Sequence, residues 1–260
     1  MDILILLYIL AGAAVGLAVG ITGVGGGSLM TPLLILFGFP YHVAIGTDLL
    51  YASVTKAGGV ISHQRQGHIN WSIVRTLAAG SIPAAIATTL LLKSVFANAD
   101  EYKQILTSSL GVMLLLTSAV LLFKSRIQPK ASPHEKKWLQ LNSKPLTFVM
   151  GIFLGVFVTL SSVGAGAIGT AILLVLYPAL QARHIVGTDI AHAVPLTLVG
   201  GVGHMIFLGN VDFMLLGCLL IGSLPAVSLG TKIGSRLPNH VLQPILAFIL
   251  MGLGVKFALF

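Results

Sequence analysis

The sequence has very little charge. Lys, Arg, Asp and Glu make up 8% of its 260 residues, whereas 56% are hydrophobic. A soluble domain is roughly a quarter charged because its surface faces water, so this composition excludes a sizeable soluble domain. Since one crossing needs about 20 apolar residues, the chain can hold about ten membrane segments at most. The composition predicts an all-α polytopic membrane protein.

Cysteine is also scarce. Cys218 is the single cysteine, which excludes an intrachain disulfide and a metal cluster built from thiolates. His63, His68 and His204 are expected at the membrane interface and make a poor metal site without nearby carboxylates or thiols. A nucleophile, a base and an orienting acid cannot be assembled with conviction, so the sequence gives no case for an enzyme.

The positive charge is concentrated in one loop. The formal net charge is +8, and six of the 15 basic residues lie between Lys124 and Lys144. Short basic connections of membrane proteins face the cytoplasm, so the charge indicates orientation and not nucleic acid binding. We expect a first transmembrane repeat at 1–123, a basic cytoplasmic loop at 124–144 and a second transmembrane repeat at 145–260.

Several motifs occur twice, about 141 residues apart. They are a Gly-Thr-Asp motif, a Gly-Ser-x-Pro-Ala motif and a glycine-rich stretch, and they recur in the same order. The matched positions are 46–48 with 187–189, 80–84 with 222–226, and Gly25 with Gly166. Such an ordered series predicts a duplicated unit.

The charges of the connecting loops predict that the two repeats are inverted relative to each other. The loop after the first Gly-Thr-Asp segment carries Arg65, whereas the matching loop carries Asn210 and Asp212. A later loop is neutral in the first repeat, and its counterpart holds Lys232 and Arg236. If basic loops face the cytoplasm, equivalent loops lie on opposite faces, as in the inverted-topology repeats of transporters.

Two apolar segments, 28–39 and 165–179, are short for a membrane crossing. Twelve helical residues rise about 18 Å, against a hydrocarbon core of about 30 Å. Each segment follows a glycine-rich stretch, so we expect a hairpin that turns within the membrane, although full crossings stay open if the loops are partly helical. The expected number of membrane segments is therefore eight to ten. Residues 1–20 lack a basic leader region and are expected to be retained as a membrane segment.

The glycine-rich stretches form the candidate substrate site. Unpaired backbone at membrane depth is tolerated where it is buried in protein or lines a cavity, and the helix that follows offers free N–H groups to an anion. Glycine also serves close helix packing, which we expect of Gly12, Gly16, Gly20, Gly151 and Gly155. The predicted substrate-binding residues are Thr22, Gly23, Gly25, Gly26, Ser28, Thr47, Ser161, Ser162, Gly164, Gly166 and Thr188.

Asp48 and Asp189 lie inside long apolar runs, where each charge costs about 2.5–3.5 kcal/mol. Two explanations stay open: each acid caps the start of its helix, or it faces a cavity and carries protons. Lys56, on the helix of Asp48, pairs with an acid, attracts an anion or extends to the membrane interface, and these readings stay open. His192 is expected to be a hydrogen-bonded packing residue.

The combination of motifs resembles one known family. Two glycine-rich loops, each followed by Ala-Ile-Gly-Thr-Asp at 44–48 or Ile-Val-Gly-Thr-Asp at 185–189, are similar to those of the TauE/SafE family of sulfite and organosulfonate exporters. The resemblance covers nearly the whole chain and implies an inner-membrane permease without a bound cofactor. Family members often have a small polar residue after Gly-Thr, whereas this chain has Asp in both copies. That difference favours proton coupling or a substrate other than a simple anion.

The sequence therefore predicts a secondary transporter of a small anion, and the resemblance implies sulfite, an organosulfonate or a related sulfur oxyanion. The anion would bind near the bilayer midplane between the two glycine-rich loops, with proton coupling through Asp48 and Asp189 and attraction by Lys56. The alternative is a cation or metal-ion permease that uses the two acids and the histidines. A membrane scaffold is a third reading, which the short loops disfavour. The expected partners are the anion and the lipid bilayer, and a homodimer stays open.

Overall fold

The computed structural model describes residues 2–22, 27–123, 133–234 and 239–259. The regular secondary structure of these residues is entirely helical, with no strand, as the composition predicts. The helices are α1 (Asp2–Thr22), α2 (Gly27–Leu36), α3 (Tyr41–Arg65), α4 (Trp71–Val95), α5 (Lys103–Phe123), α6 (Pro133–Ser161), α7 (Ala167–Leu176), α8 (Ala182–Gly203), α9 (Phe213–Gly234) and α10 (Asn239–Leu259), with a π-helical turn (His204–Leu208) after α8.

Six of the helices, α1, α4, α5, α6, α8 and α9, are long and apolar enough to cross a membrane. Helix α3 has 25 residues but is more polar, because it carries Asp48, Lys56 and a basic last turn. Helices α2 and α7 have 10 residues each, which is about 15 Å of rise, so neither can cross alone. This agrees with the expectation for the two short segments.

The basic segment at 124–144 differs from its prediction. Helix α6 begins at Pro133, so the second part of this segment is helical and not a loop. The residues there include good helix formers such as Glu, Lys and Leu, but they are too polar to form an apolar run. The cytoplasmic position of the segment stays a prediction.

The helix packing follows the duplication of the sequence. Helix α1 packs on α9 and α4 packs on α6, while α3 packs on α8 and α5 on α10. When the first five helices are matched in order with the last five, exchanging the halves turns the α1–α9 pair into the α6–α4 pair. The same exchange leaves the α3–α8 and α5–α10 pairs unchanged. The arrangement therefore has a two-fold pattern.

Equivalent helices run antiparallel to each other. Gly201 of α8 lies against Leu50 of α3, whereas Ile190 lies against Gly59. Residue numbers therefore increase along α3 in the direction in which they decrease along α8. Helices α5 and α10 pack in the same antiparallel way. Opposite directions of matched helices support an inverted repeat. The orientation of each half across a bilayer stays a prediction.

The loops of like charge lie at the same end of the molecule. The ring of His68 lies 5.2 Å from that of His184, which brings the loops that carry Arg65 and Arg183 together. The pKa of His68 is lowered mainly by its partial burial and, to a smaller extent, by the charges of Arg183 and His184. The turn at 209–212 lies at the opposite end, beside the start of α3. This distribution is the one that the positive-inside rule requires of an inverted repeat.

The glycines of α1 and α6 are packing residues, as expected. A Cβ on Gly12 would overlap the backbone of Leu219, and one on Gly155 would overlap the backbone of Ser81. Gly16 and Gly151 meet the same two partner helices equally closely. Since lipid tails are as apolar as side chains, close backbone approach of this kind holds membrane helices together by van der Waals contact.

Candidate functional site

The first Gly-Thr-Asp motif holds a turn of the other repeat. Any Cβ on Gly46 would overlap the carbonyl oxygen of Asn210, so glycine is required for this approach. One residue later, the Oγ1 atom of Thr47 accepts a hydrogen bond of 3.1 Å from the backbone N–H of Asp212. Asp212 in turn caps α9 by accepting from the N–H of Leu215 at 2.9 Å. The motif therefore fixes the start of α9 against α3.

The second motif repeats the arrangement with the first repeat's turn. Gly187 lies against the backbone carbonyl of His68, and Thr188 Oγ1 accepts from the N–H of Asn70 at 2.9 Å. Asn70 caps α4 through its own side chain. Because the two threonine hydroxyls serve helix starts, the contacts give no support to the substrate-binding role predicted for Thr47 and Thr188, which stays a prediction.

The two acids bind the short helices. Asp48 is fully buried, and its Oδ2 accepts from the hydroxyl of Thr31 at 2.5 Å and from the Thr31 N–H at 3.2 Å. Asp189 Oδ2 accepts from Thr170 Oγ1 at 2.9 Å, and its Oδ1 lies where a Cβ on Gly169 would be. Each carboxylate thus anchors α2 or α7 and does not cap the helix that carries it. The capping explanation was wrong about the partner.

Sequence reasoning missed Thr31 and Thr170. The signal was present, because Val-Gly-x-Gly-x-x-x-Thr at 24–31 recurs at 163–170. These two stretches are 139 residues apart, whereas the two Gly-Thr-Asp motifs are 141 residues apart. The difference arises because Thr31 precedes Asp48 by 17 residues and Thr170 precedes Asp189 by 19. The uniform shift of 141 had paired Gly25 with Gly166, so that pairing was out of register by two residues.

Lys56 lies inside the protein and not at the membrane interface. It is 8% exposed, and its Nζ donates a hydrogen bond of 2.7 Å to the carbonyl oxygen of Ala165, in the connection between α6 and α7. Both Asp189 and Asp48 lie within electrostatic reach of the ammonium, with the stronger attraction from Asp189. The interfacial alternative for Lys56 was therefore wrong.

The second glycine-rich loop has an alternating backbone. Ser162, Gly164 and Gly166 have φ angles of 58°, 111° and 138°, whereas the residues between them keep negative φ. Alternation of this kind directs successive N–H groups to one side and forms an anion-binding concavity. The Ser162 hydroxyl is buried close to Asp48. Ser161 differs, because its hydroxyl donates to the helix carbonyl of Phe157 at 2.6 Å.

The first glycine-rich loop cannot be compared in the same way. Gly23, Gly25 and Gly26 lie outside the described residues, as do the side chains of Thr22 and Ser28. The expectation that the two loops meet near the midplane therefore stays a prediction.

Ionisable and polar side chains follow the contact between α3 and α8. Because Ile190 lies against Gly59, Asp189 is level with about residue 60 of α3, roughly 18 Å along the axis from Asp48. The side chains between the two acids come from both helices. We call the set the polar row, and its members are Asp48, Tyr51, Lys56, His192 and Asp189.

Several buried atoms along the polar row lack a hydrogen-bond partner among the described residues. They include Oδ1 of Asp48 and Asp189, the Tyr51 hydroxyl, His192 Nδ1 and the nearby Ser162 Oγ. An unsatisfied buried polar group costs about 1–3 kcal/mol, so native proteins rarely leave several together. Such a concentration is typical of a site that holds a polar ligand or water.

The histidines occupy different environments. His192 is buried and its Nε2 lies 2.8 Å from Ser81 Oγ, so the expectation of a hydrogen-bonded residue is confirmed. His204 follows the last residue of α8 and is fully buried, with Nε2 at 2.9 Å from the carbonyl oxygen of Thr159; its placement at the membrane interface stays a prediction. The rings of His63 and His68 lie 5.8 Å apart and those of His68 and His184 lie 5.2 Å apart, but in the described part of the chain no group of three His, Cys, Asp or Glu side chains has the geometry to hold a metal ion.

Comparisons with known proteins agree with the architecture. The profile of the family "Sulfite exporter TauE/SafE" matches residues 8–257. The probable membrane transporter protein YjnA of Bacillus subtilis (strain 168) is 39% identical across 95% of this chain and 97% of its own length. YdhB of the same organism is 30% identical across 92% and 94%, and MJ0441 of Methanocaldococcus jannaschii is 27% identical across 97% and 95%.

No solved structure matches the chain. The family profile and the relatives nevertheless cover almost its full length, and the relatives are named as membrane transporters and not as enzymes. The resemblance found in the motifs is thereby confirmed. The chain belongs to the sulfite exporter TauE/SafE family of membrane transporters.

Proposed function

We propose that the protein is a secondary transporter, a permease or exporter, of a small anion across the inner (plasma) membrane. The substrate class is sulfite, an organosulfonate or a related sulfur oxyanion. The observation that carries the proposal is the buried ammonium of Lys56, whose hydrogen bond goes to the neutral carbonyl of Ala165. A buried charge whose hydrogen bond goes to a neutral group is costly. Asp189 and Asp48 act on Lys56 without bonding to it, and a bound anion supplies a directly bonded partner of opposite charge.

The loop beside Lys56 offers further donors to an anion. The N–H groups of Ser162 and Val163 bond within the protein, so the alternating backbone offers an anion the N–H groups of residues 164–166. Helix α7 begins directly after them, so the positive end of its dipole adds to the field. The Ser162 hydroxyl is buried and lacks a partner among the described residues. A sulfur oxyanion has several acceptor oxygens and can use all three kinds of donor.

The acids of the polar row make anion binding depend on protons. When both are ionised, Asp48 and Asp189 outnumber Lys56 and repel an anion. Protonation of either acid leaves a neutral site that an anion can enter. Binding of the anion then raises the affinity for the proton, and binding of the proton raises the affinity for the anion. This positive coupling is the thermodynamic requirement for their coupled movement.

The membrane potential sets the cost of each direction. Expelling one negative charge from a cell that is negative inside gains about 2.3 kcal/mol per 100 mV. Export of a monovalent anion therefore needs no partner ion, whereas uptake needs at least one proton with each anion. Helices of the two repeats pack on each other, α1 on α9 and α4 on α6, so a unit that moved as a rigid body would contain helices of both repeats.

Flux in liposomes tests the proposal. Purified protein is expected to move radiolabelled sulfite, sulfoacetate or thiosulfate down its gradient, with faster uptake when the outside is acidic. Empty liposomes and protein carrying Lys56→Met are the controls. If no sulfur anion moves under any ion or pH gradient, the substrate class is wrong.

A further inference from the structure

Tyr51 and His192 occupy equivalent positions in the two repeats. Each follows the Asp of its Gly-Thr-Asp motif by three residues, so each lies about one helical turn deeper than the acid. Each also lies beside the serine of the other repeat's Gly-Ser-x-Pro motif. His192 Nε2 is 2.8 Å from Ser81 Oγ, and Tyr51 lies near Ser223. The duplication therefore places two different polar rings in one environment.

Both rings carry a buried polar atom that the described residues leave without a hydrogen bond. Tyr51 and His192 are each 1% exposed, and the unused atoms are the Tyr51 hydroxyl and His192 Nδ1. Ser81 occupies the other ring nitrogen of His192, and when Ser81 donates to it, Nδ1 carries the ring proton. Each repeat thus supplies one side-chain donor suited to an oxyanion.

The two rings lie on opposite sides of the midpoint of the α3–α8 pair. From the contact of Ile190 with Gly59, His192 is level with about residue 57 of α3, so it is about 9 Å along the axis from Tyr51. Tyr51 lies toward the end where α3 begins and His192 toward the end where α8 begins. One oxyanion is too small to lie beside α3 at the level of Tyr51 and at the level of His192 at the same time.

We propose that Tyr51 and His192 are alternating donors to the transported oxyanion. Tyr51 binds it when the site opens to the face where α3 begins, and His192 binds it when the site opens to the face where α8 begins. Lys56 supplies the charge in both states. The inference deepens the proposed function and rests on it, since it requires that a sulfur oxyanion passes along the polar row.

Sided transport measurements test the two donors separately. Right-side-out and inside-out membrane vesicles give the half-saturating sulfite concentration at each face. Tyr51→Phe should raise it about tenfold at the face where α3 begins and leave the other face nearly unchanged, because one hydrogen bond to a charged ligand is lost. His192→Gln, whose amide reaches the position of Nε2 but not Nδ1, should give the opposite pattern.

Matched variants separate binding from folding. His192→Asn places its amide near the position of Nδ1 and should restore much of the affinity that His192→Gln loses. Tyr177→Phe and His204→Gln change a tyrosine and a histidine that bond elsewhere, to Thr147 and to the carbonyl of Thr159, and should shift neither face.

The outcomes separate this inference from the proposed function. Equal shifts at both faces, a reversed pattern or no shift would overturn the alternating donors while wild-type flux continues. Absence of sulfite, sulfonate and thiosulfate flux in the wild type would overturn the proposed function and this inference together.

Discussion

The two Gly-Thr-Asp sites are alike in their framework and different in their charge. In both, glycine admits a turn of the other repeat, threonine binds that turn, and the acid binds a short helix. Eight residues after each acid, the first repeat has Lys56 and the second has Thr197, whose hydroxyl donates to its own helix. The shared residues hold the helices, and Lys56 supplies a positive charge that the equivalent position of the second repeat lacks.

Removing that cation should have the largest effect on function. Lys56→Met makes the two copies alike in charge and should weaken anion binding by up to about a thousandfold, because an ion pair at 4 Å is worth about 4 kcal/mol near a protein surface. Binding of sulfite by isothermal titration measures the change. Lys93→Met removes an exposed lysine at the end of α4 and is the control. Equal affinities for the two variants would contradict the role of Lys56.

Neutralising the two acids one at a time should affect sulfite affinity unequally, because Asp48 and Asp189 lie at different distances from Lys56. Along the helix axis Asp189 is about 6 Å away and Asp48 about 12 Å away, so the repulsion of an anion at Lys56 is about 2.8 and 1.4 kcal/mol. At alkaline pH, Asp189→Asn should raise sulfite affinity about a hundredfold and Asp48→Asn about tenfold.

The pH dependence has a definite sign. Wild-type affinity should fall as the pH rises, because the carboxylates ionise, and each Asn variant should show a weaker dependence. Flux driven by a pH gradient should then be lost in the variants, while counterflow exchange continues. Unchanged pH dependence in both variants would leave the acids with the anchoring role alone.

Filling the motif glycines should destabilise the packing of both repeats, and Gly46→Ala more than Gly187→Ala, because its Cβ would approach the opposite backbone more closely. Gly46→Ala and Gly187→Ala place a Cβ into the backbone of the opposite turn, and overpacking of this kind costs about 1–3 kcal/mol. The thermal unfolding midpoint in detergent should fall in both variants. Gly58→Ala, where no atom lies within 4 Å of an added Cβ, should leave the midpoint unchanged; a similar fall there would mean that the loss is not specific to the motif.

The smallest expected difference concerns the short helices. Thr31 gives Asp48 both a hydroxyl and a backbone N–H, whereas Thr170 gives Asp189 its hydroxyl. Thr170→Val should therefore destabilise the protein by about 1–2 kcal/mol, and Thr31→Val by less, because the N–H of Thr31 remains. Chemical unfolding of the two variants measures the order, and the reverse order would contradict this explanation.

Much of this architecture could be predicted from the sequence, because apolar runs and repeated motifs reflect local requirements. The duplication, the short helices and the importance of the Gly-Thr-Asp motif were all visible. The position of Lys56 was not, since a lysine in an apolar helix looks the same whether it extends to the interface or turns inward. Its partner is a carbonyl 109 residues away, and no local pattern encodes such a contact.

The partners of the acids were missed for a different reason. The connection between Thr170 and Asp189 is two residues longer than that between Thr31 and Asp48, so one uniform shift could not align both the motif and the glycine-rich stretch. The roles of Tyr51 and His192 were hidden too, because equivalent positions with different side chains give no repeat signal.

The most direct test is the position of a heavy oxyanion in crystals of the protein. Selenite has the charge and shape of sulfite and gives an anomalous signal that locates it independently of the atomic coordinates. The buried site at the centre of α3 and α8 predicts a peak within hydrogen-bonding distance of Lys56 Nζ, beside the loop at 162–166. Peaks confined to surface lysines, with none along the polar row, would contradict it.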